Sequence, residues 1–208
     1  MAHSRGPETL PRPLGRGPAR NLFPVLLVGL LGLLAAGAAI LAGVFQSPST
    51  VDLVVHNAAG ETISASTVRG TYTATTLAGD TLHFSYRSPD EVTAYFSGPF
   101  GQLSHRPQSA TGPKANQVLL PVRQLQQLNG FTDHGPTYVL TESIKDLVAP
   151  SQRPLVRGTF RATVRIETGY VVRVQEDVAG VETQGGHAQP VTSHADYRLS
   201  RVDGWTAT

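Results

Sequence analysis

The chain has 208 residues, no cysteine and a formal net charge of +2, which excludes disulfides, cysteine metal sites, a thiol nucleophile and a lipidated-cysteine anchor. The charge is unevenly placed: residues 1–20 carry four arginines against Glu8, a net of +3, and residues 21–208 carry a net of −1. The high pI of 9.2 therefore comes from a short basic tail, and no nucleic-acid surface is indicated.

Residues 1–21 are rich in Pro, Gly and Arg without apolar periodicity and are expected to be a disordered tail. Residues 22–45 hold no charge. A helix of that length spans about 36 Å, enough for a hydrocarbon core of about 30 Å. Pro24 would fall in the first turn, where a missing N–H costs least. The arginines lie just before this segment, and the next basic residue after Phe45 is Arg69. The positive-inside rule then expects the tail in the cytoplasm and residues 46–208 outside. A cleaved signal peptide ending at Ala38 is the rival reading. Continued hydrophobicity through Ile40, Leu41, Val44 and Phe45 favours the uncleaved anchor. Gly29 and Gly32 are one residue short of GxxxG spacing, so no helix-dimerisation motif stands out.

After a linker at 46–49, an extracytoplasmic β-rich domain is expected over 50–208. Ser49 and Asp52 have capping-box spacing. Val51, Val54, Val55, Ala58 and Ala59 follow at helical spacing, predicting a helix over about 50–64 with Asp52, His56 and Asn57 off the apolar stripe. The period then changes to two. Strands are expected over 67–77, 81–87 and 91–97, joined by Ala78-Gly79-Asp80 and Ser88-Pro89-Asp90 turns into an antiparallel meander.

Residues 105–115 read as a polar loop, 118–128 as a short helix starting near Pro121, and 142–148 as a further short helix. Strands are expected again over 156–167, 170–176 and 191–202, with a break at Ala179-Gly180 and a loop around Gly185-Gly186. The fold class is thus α+β: a membrane helix, then one domain with a large antiparallel sheet and two or three short helices. Arg69-Gly-Thr-Tyr-Thr-Ala-Thr75 matches Arg157-Gly-Thr-Phe-Arg-Ala-Thr163 at five of seven positions. This marks either duplicated strand openings or chance likeness of two strand starts, and the poorly aligned flanks favour chance.

No catalytic site is expected. No G-x-S-x-G occurs, Ser143 and Lys145 lack S-x-x-K spacing, and no glycine-rich loop joins a strand to a helix. Asp133-His134 falls in a turn, where Asp serves turn geometry. The histidines lack zinc-site spacing, and His187, His194 and Asp196 would converge only if the last loop folded back. No metal or cofactor is indicated. The strand aromatics have two readings. They form the packed core of the sheet, or, where the sheet curves and too few helices fill it, they line an apolar cavity. The candidates for such a lining are Val54, Val55, Tyr72, Phe84, Phe96, Phe160, Val164 and Tyr197.

The capped helix leading into Ser66-Thr-Val-Arg-Gly-Thr-Tyr-Thr-Ala-Thr75, followed by Phe84-Ser-Tyr-Arg-Ser-Pro-Asp-Glu-Val92, resembles the exported lipoprotein-carrier superfamily of LolA-like carriers and mycobacterial LppX/LprG-like lipoproteins. Fifteen arginines to two lysines, with abundant Ala, Gly and Pro, match the coding bias of GC-rich actinobacteria. The resemblance spans about residues 50–202. It implies a half-barrel-like sheet whose helices enclose a cavity for acyl chains. The lipidated cysteine of the LppX/LprG type is absent, and a membrane helix stands in its place. The expected partners are the membrane itself and an apolar ligand such as a lipid. The alternative is a non-catalytic module that binds a protein of an envelope complex.

Overall fold

The computed structural model describes residues 47–207 apart from 78, 89–90, 99–106, 149 and 185–186. The expected tail at 1–21, the membrane helix at 22–45 and linker residue 46 lie outside the described residues. Among those described, no helix is long and apolar enough to cross a membrane.

Helix α1 spans Thr50–Ser64 and starts as its capping box dictates. The Ser49 hydroxyl accepts the Asp52 amide at 3.1 Å, and Asp52 Oδ2 accepts the Ser49 amide at 2.8 Å. The buried side differs from the expected stripe. It consists of Asp52, Val55, Ala58, Ala59 and Thr62, while Val54 is 41% exposed. Asp52 turns inward because its Oδ1 accepts the amides of Gly130 and Phe131, both at 2.9 Å. The two alanines let the helix lie close to its neighbours. Thr62 is fully buried because its hydroxyl is used twice, donating to Ala58 O and accepting from Val171 N.

Among the described residues, ten strands form one open antiparallel sheet. The first meander is β1 (Thr67–Ala74), β2 (Thr81–Arg87), β3 (Glu91–Ser97) and β4 (Gln108–Thr111). The second is β5 (Thr132–Asp133), β6 (Thr137–Ser143), β7 (Val156–Glu167), β8 (Tyr170–Gln184) and β9 (His187–Val202), with β10 (Trp205–Thr206) pairing back on β9. The spatial order is β4-β3-β2-β1-β9-β8-β7-β6-β5. The meanders join where β1 pairs with β9, with Tyr72 opposite Tyr197. Two-residue periodicity buries one face: Leu82, Phe84 and Tyr86 on β2; Val92, Ala94 and Phe96 on β3; Phe160, Ala162 and Val164 on β7. That face carries α1, a 3₁₀ segment at Gly112–Leu119, α2 (Leu120–Leu125) and α3 (Ile144–Leu147).

Several local expectations are corrected. The loop at 105–115 contains β4, a polar strand at the sheet edge, and opens the 3₁₀ segment. The strands β5 and β6 occupy a region read only as a turn followed by a helix. That helix is a single turn beginning at Ile144. The Ala179-Gly180 pair does not end β8, because Gly180 lies opposite Gly158 on β7 and Ile144 Cδ1 lies over both glycines. Finally, β9 begins at His187, four residues earlier than expected.

Candidate functional site

A cavity opens between β1, β2, β9 and the 3₁₀–α2 segment that roofs them. Its lining is Tyr72, Leu82, Phe84, Gln117, Val118, Pro121 and Tyr197. It offers about 10 Å³ to the centre of a water-sized sphere, room for about one water. The Phe84 and Tyr197 rings stack at 5.4 Å and 16° although β1 lies between their strands. Gly70 makes this contact. A Cβ there would lie 2.8 Å from Phe84 Cζ and would overlap the Arg198 carbonyl, so only glycine lets the Phe84 ring cross β1. The roof is tied to the sheet by the Tyr86 hydroxyl, which donates to Asn116 Oδ1 at 2.9 Å, and Arg123 Nη2 donates to the same oxygen at 3.3 Å.

The interior around this cavity holds polar groups that an apolar core does not need. Tyr197 is 2% exposed, and among the described residues its hydroxyl has no hydrogen-bond partner. Burial raises its pKa. Burial, and then the nearby Glu176 charge, raise that of Tyr72. Glu176 lies on the helix side of β8 opposite Ala195, 8% exposed, and burial pushes its carboxyl up to about 7. The cavity wall is therefore apolar, with buried phenols and a neighbouring acid that is neutral below about pH 7.

The eight candidate residues divide by position. Tyr72, Phe84 and Tyr197 line the cavity. Val55, Phe96, Phe160 and Val164 are buried in the same core without lining it, and Val54 faces solvent. Sequence reasoning missed Gln117, Pro121 and Glu176 as neighbours of the site. Leu82 and Val118 did carry a signal, since both belong to recognised apolar periodicities. Gln117 and Glu176 carried none, because polar residues are marked as interior only by the contacts around them.

His187, His194 and Asp196 do not converge. His194 Nδ1 meets Asp177 Oδ1 at 2.7 Å across the β8–β9 pair. Asp196 is held from both sides by Arg173 at 2.8 Å and Arg198 at 2.6 Å. Burial alone would raise the Asp196 carboxyl, but the hydrogen bonds and charges of the two guanidiniums outweigh it and hold the pKa below the usual range. Among the described residues no cluster of His, Asp and Glu has a metal-binding arrangement. Asp133 Oδ1 accepts the Gly135 amide at 2.9 Å, the turn role expected of it. No protein-family profile matches the chain, and no curated protein matches it significantly.

Proposed function

We propose that this chain is a membrane-tethered, extracytoplasmic, non-catalytic module that binds an apolar ligand, a lipid of the cell envelope, between its sheet and its helical roof. The observation that carries this reading is the cavity under the 3₁₀–α2 roof, whose wall is almost wholly apolar and includes Tyr72, Phe84 and Tyr197. An open antiparallel sheet with a few helices on one face also fits the half-barrel that the lipoprotein-carrier resemblance implies. At its present size the cavity is closed to an acyl chain. Ligand entry therefore requires the roof to lift away from the sheet. The anchor expected at 22–45 hinders shuttling between membranes, so local lipid handling or sensing suits the chain better than transport.

A second reading has its own support. The β8–β9 hairpin extends past the end of β1, which stops at the Ala74–Ala195 pair, and exposes Val181 and Val191. Such an arm suits a protein partner in an envelope complex.

Native mass spectrometry of the full chain in mild detergent, with lipid extraction, tests the first reading. An apolar molecule should co-purify with the chain. The double variant Leu82→Trp/Val118→Trp, if it retains a cooperative melt, should lose it. A wild-type chain that carries nothing apolar sinks the ligand reading. A stable partner retained by that double variant supports the second.

A further inference from the structure

The sheet face opposite the helices carries an ordered cationic array. One row of directly opposed residues crosses seven strands: Thr137, Arg165, Arg173, Arg198, Thr71, His83 and Tyr95. Three arginines thus stand side by side on β7, β8 and β9. Like charges directly opposite one another destabilise a sheet pair. Asp196 screens Arg173 and Arg198, and Glu167 screens Arg165. The array nonetheless extends beyond these screens. Arg157, Arg161 and Arg165 recur every four residues on the outward side of β7, and Arg69 opposes Arg201 across β1–β9. Among the described residues no carboxylate bonds Arg157, Arg161 or Arg69, although Asp177, which His194 Nδ1 meets at 2.7 Å, lies opposite Arg161 on β8. At the other end of the row Tyr95, 39% exposed, stacks on His83 at 4.7 Å and 8°. The net charge of −1 over residues 21–208 conceals this separation of charge.

We infer that this face docks on the anionic phospholipid headgroups of the membrane that holds the chain. The inference rests on the membrane-tethered reading. Charge complementarity selects the partner. Guanidinium forks match phosphate oxygens in pairs, and phosphate offers partners to Arg157, Arg161 and Arg69, which no carboxylate bonds. An exposed tyrosine on the same face, three strands from Arg198, suits the headgroup layer, where one end of the ring is wet and the other apolar. Docked this way, the sheet lies along the membrane and the helical roof faces away from it.

The chain has no cysteine, so Thr159→Cys provides a single labelling site between Arg157 and Arg161. An environment-sensitive fluorophore there is read with the full chain in nanodiscs of phosphatidylcholine alone and with phosphatidylglycerol added. The expected result is a blue shift only where phosphatidylglycerol is present, reversed by roughly 0.5 M salt. Each of Arg157→Gln and Arg161→Gln should lower the docking equilibrium constant about fivefold without changing the melting temperature appreciably. An equal shift in both lipids, or no shift in either, overturns the proposal. So does a shift that appears only when an acidic protein is added. Failure of the anchor itself reads differently: the chain would then be released from membranes by alkaline carbonate.

Discussion

Asp52 and Phe131 are 79 residues apart, yet the Asp52 carboxylate accepts the Phe131 amide at 2.9 Å. The same side chain closes the capping box of α1 and accepts the Gly130 amide, so it joins the start of the domain to the turn before β5. Burial alone would raise its pKa, but the hydrogen bonds from Phe131, Ser49 and Gly130 lower it.

Asp52→Ala should therefore cost more than the loss of a helix cap. Removing the Ser49 hydroxyl alone (Ser49→Ala) is expected to cost about 1 kcal/mol. Asp52→Ala also leaves two amides without acceptors and should cost about 2–4 kcal/mol. Urea unfolding of the two variants gives the comparison. Equal losses would show that the contact with the 130–131 turn contributes nothing.

Glu176 should make stability fall between weakly acidic and neutral pH. Its carboxyl titrates near 4.5 when free and near 7 in the fold. The fold thus prefers the protonated acid. That contribution is complete below pH 4.5, declines as the pH rises to about 7, and then levels off, a total of up to roughly 3 kcal/mol. Glu176→Gln should abolish this decline, being close to wild type at pH 4 and more stable at pH 8. Denaturation midpoints across pH provide the check, and parallel curves for the two proteins would refute the prediction.

Asp196 should behave in the opposite sense. Its pKa in the fold is lowered, so its contribution is present above about pH 4 and lost as the pH falls through the folded value. Asp196→Asn removes the carboxylate between Arg173 and Arg198 and should cost roughly 2–3 kcal/mol at pH 7. The variant should also lack this component of the acid-induced loss. Added salt should recover part of the deficit by screening the arginine row.

Gly158 tests the close approach of β7 and β8. Its φ of +143° disfavours any other residue, and a Cβ there would overlap the Ala179 carbonyl and press on Gly180 and Ile144. Gly158→Ala should cost about 2–4 kcal/mol. Gly135 also has a positive φ, +84°, but nothing lies within 4 Å of its would-be Cβ. Gly135→Ala should cost only about 1–2 kcal/mol. Thermal melts that rank the two the other way would reject the packing argument.

Much of the fold was legible one element at a time. The capping residues Ser49 and Asp52 and the apolar spacing that follows them specify α1. Alternation in Thr81–Arg87, Glu91–Ser97 and Val156–Glu167 specifies β2, β3 and β7 to the residue. The Thr168-Gly169 turn is equally local, since both residues take the positive φ of a two-residue hairpin. The misreadings share a cause. Gly180 looks like a breaker until Gly158 is set opposite it, and Asp52 looks solvent-facing until the Gly130 and Phe131 amides arrive.

The sequence by itself determined the elements, the lack of thiol chemistry and the separation of a basic tail from a slightly acidic remainder, because periodicity, capping and charge depend on near neighbours or simple composition. Only the tertiary structure decided that β1 pairs with β9, that Phe84 crosses Gly70 to reach Tyr197, that Glu176 is interior, and that three arginines from three strands stand in one row. Those relationships join residues distant along the chain. Strand partner and register follow from packing the whole sheet against its helices, which no local window contains.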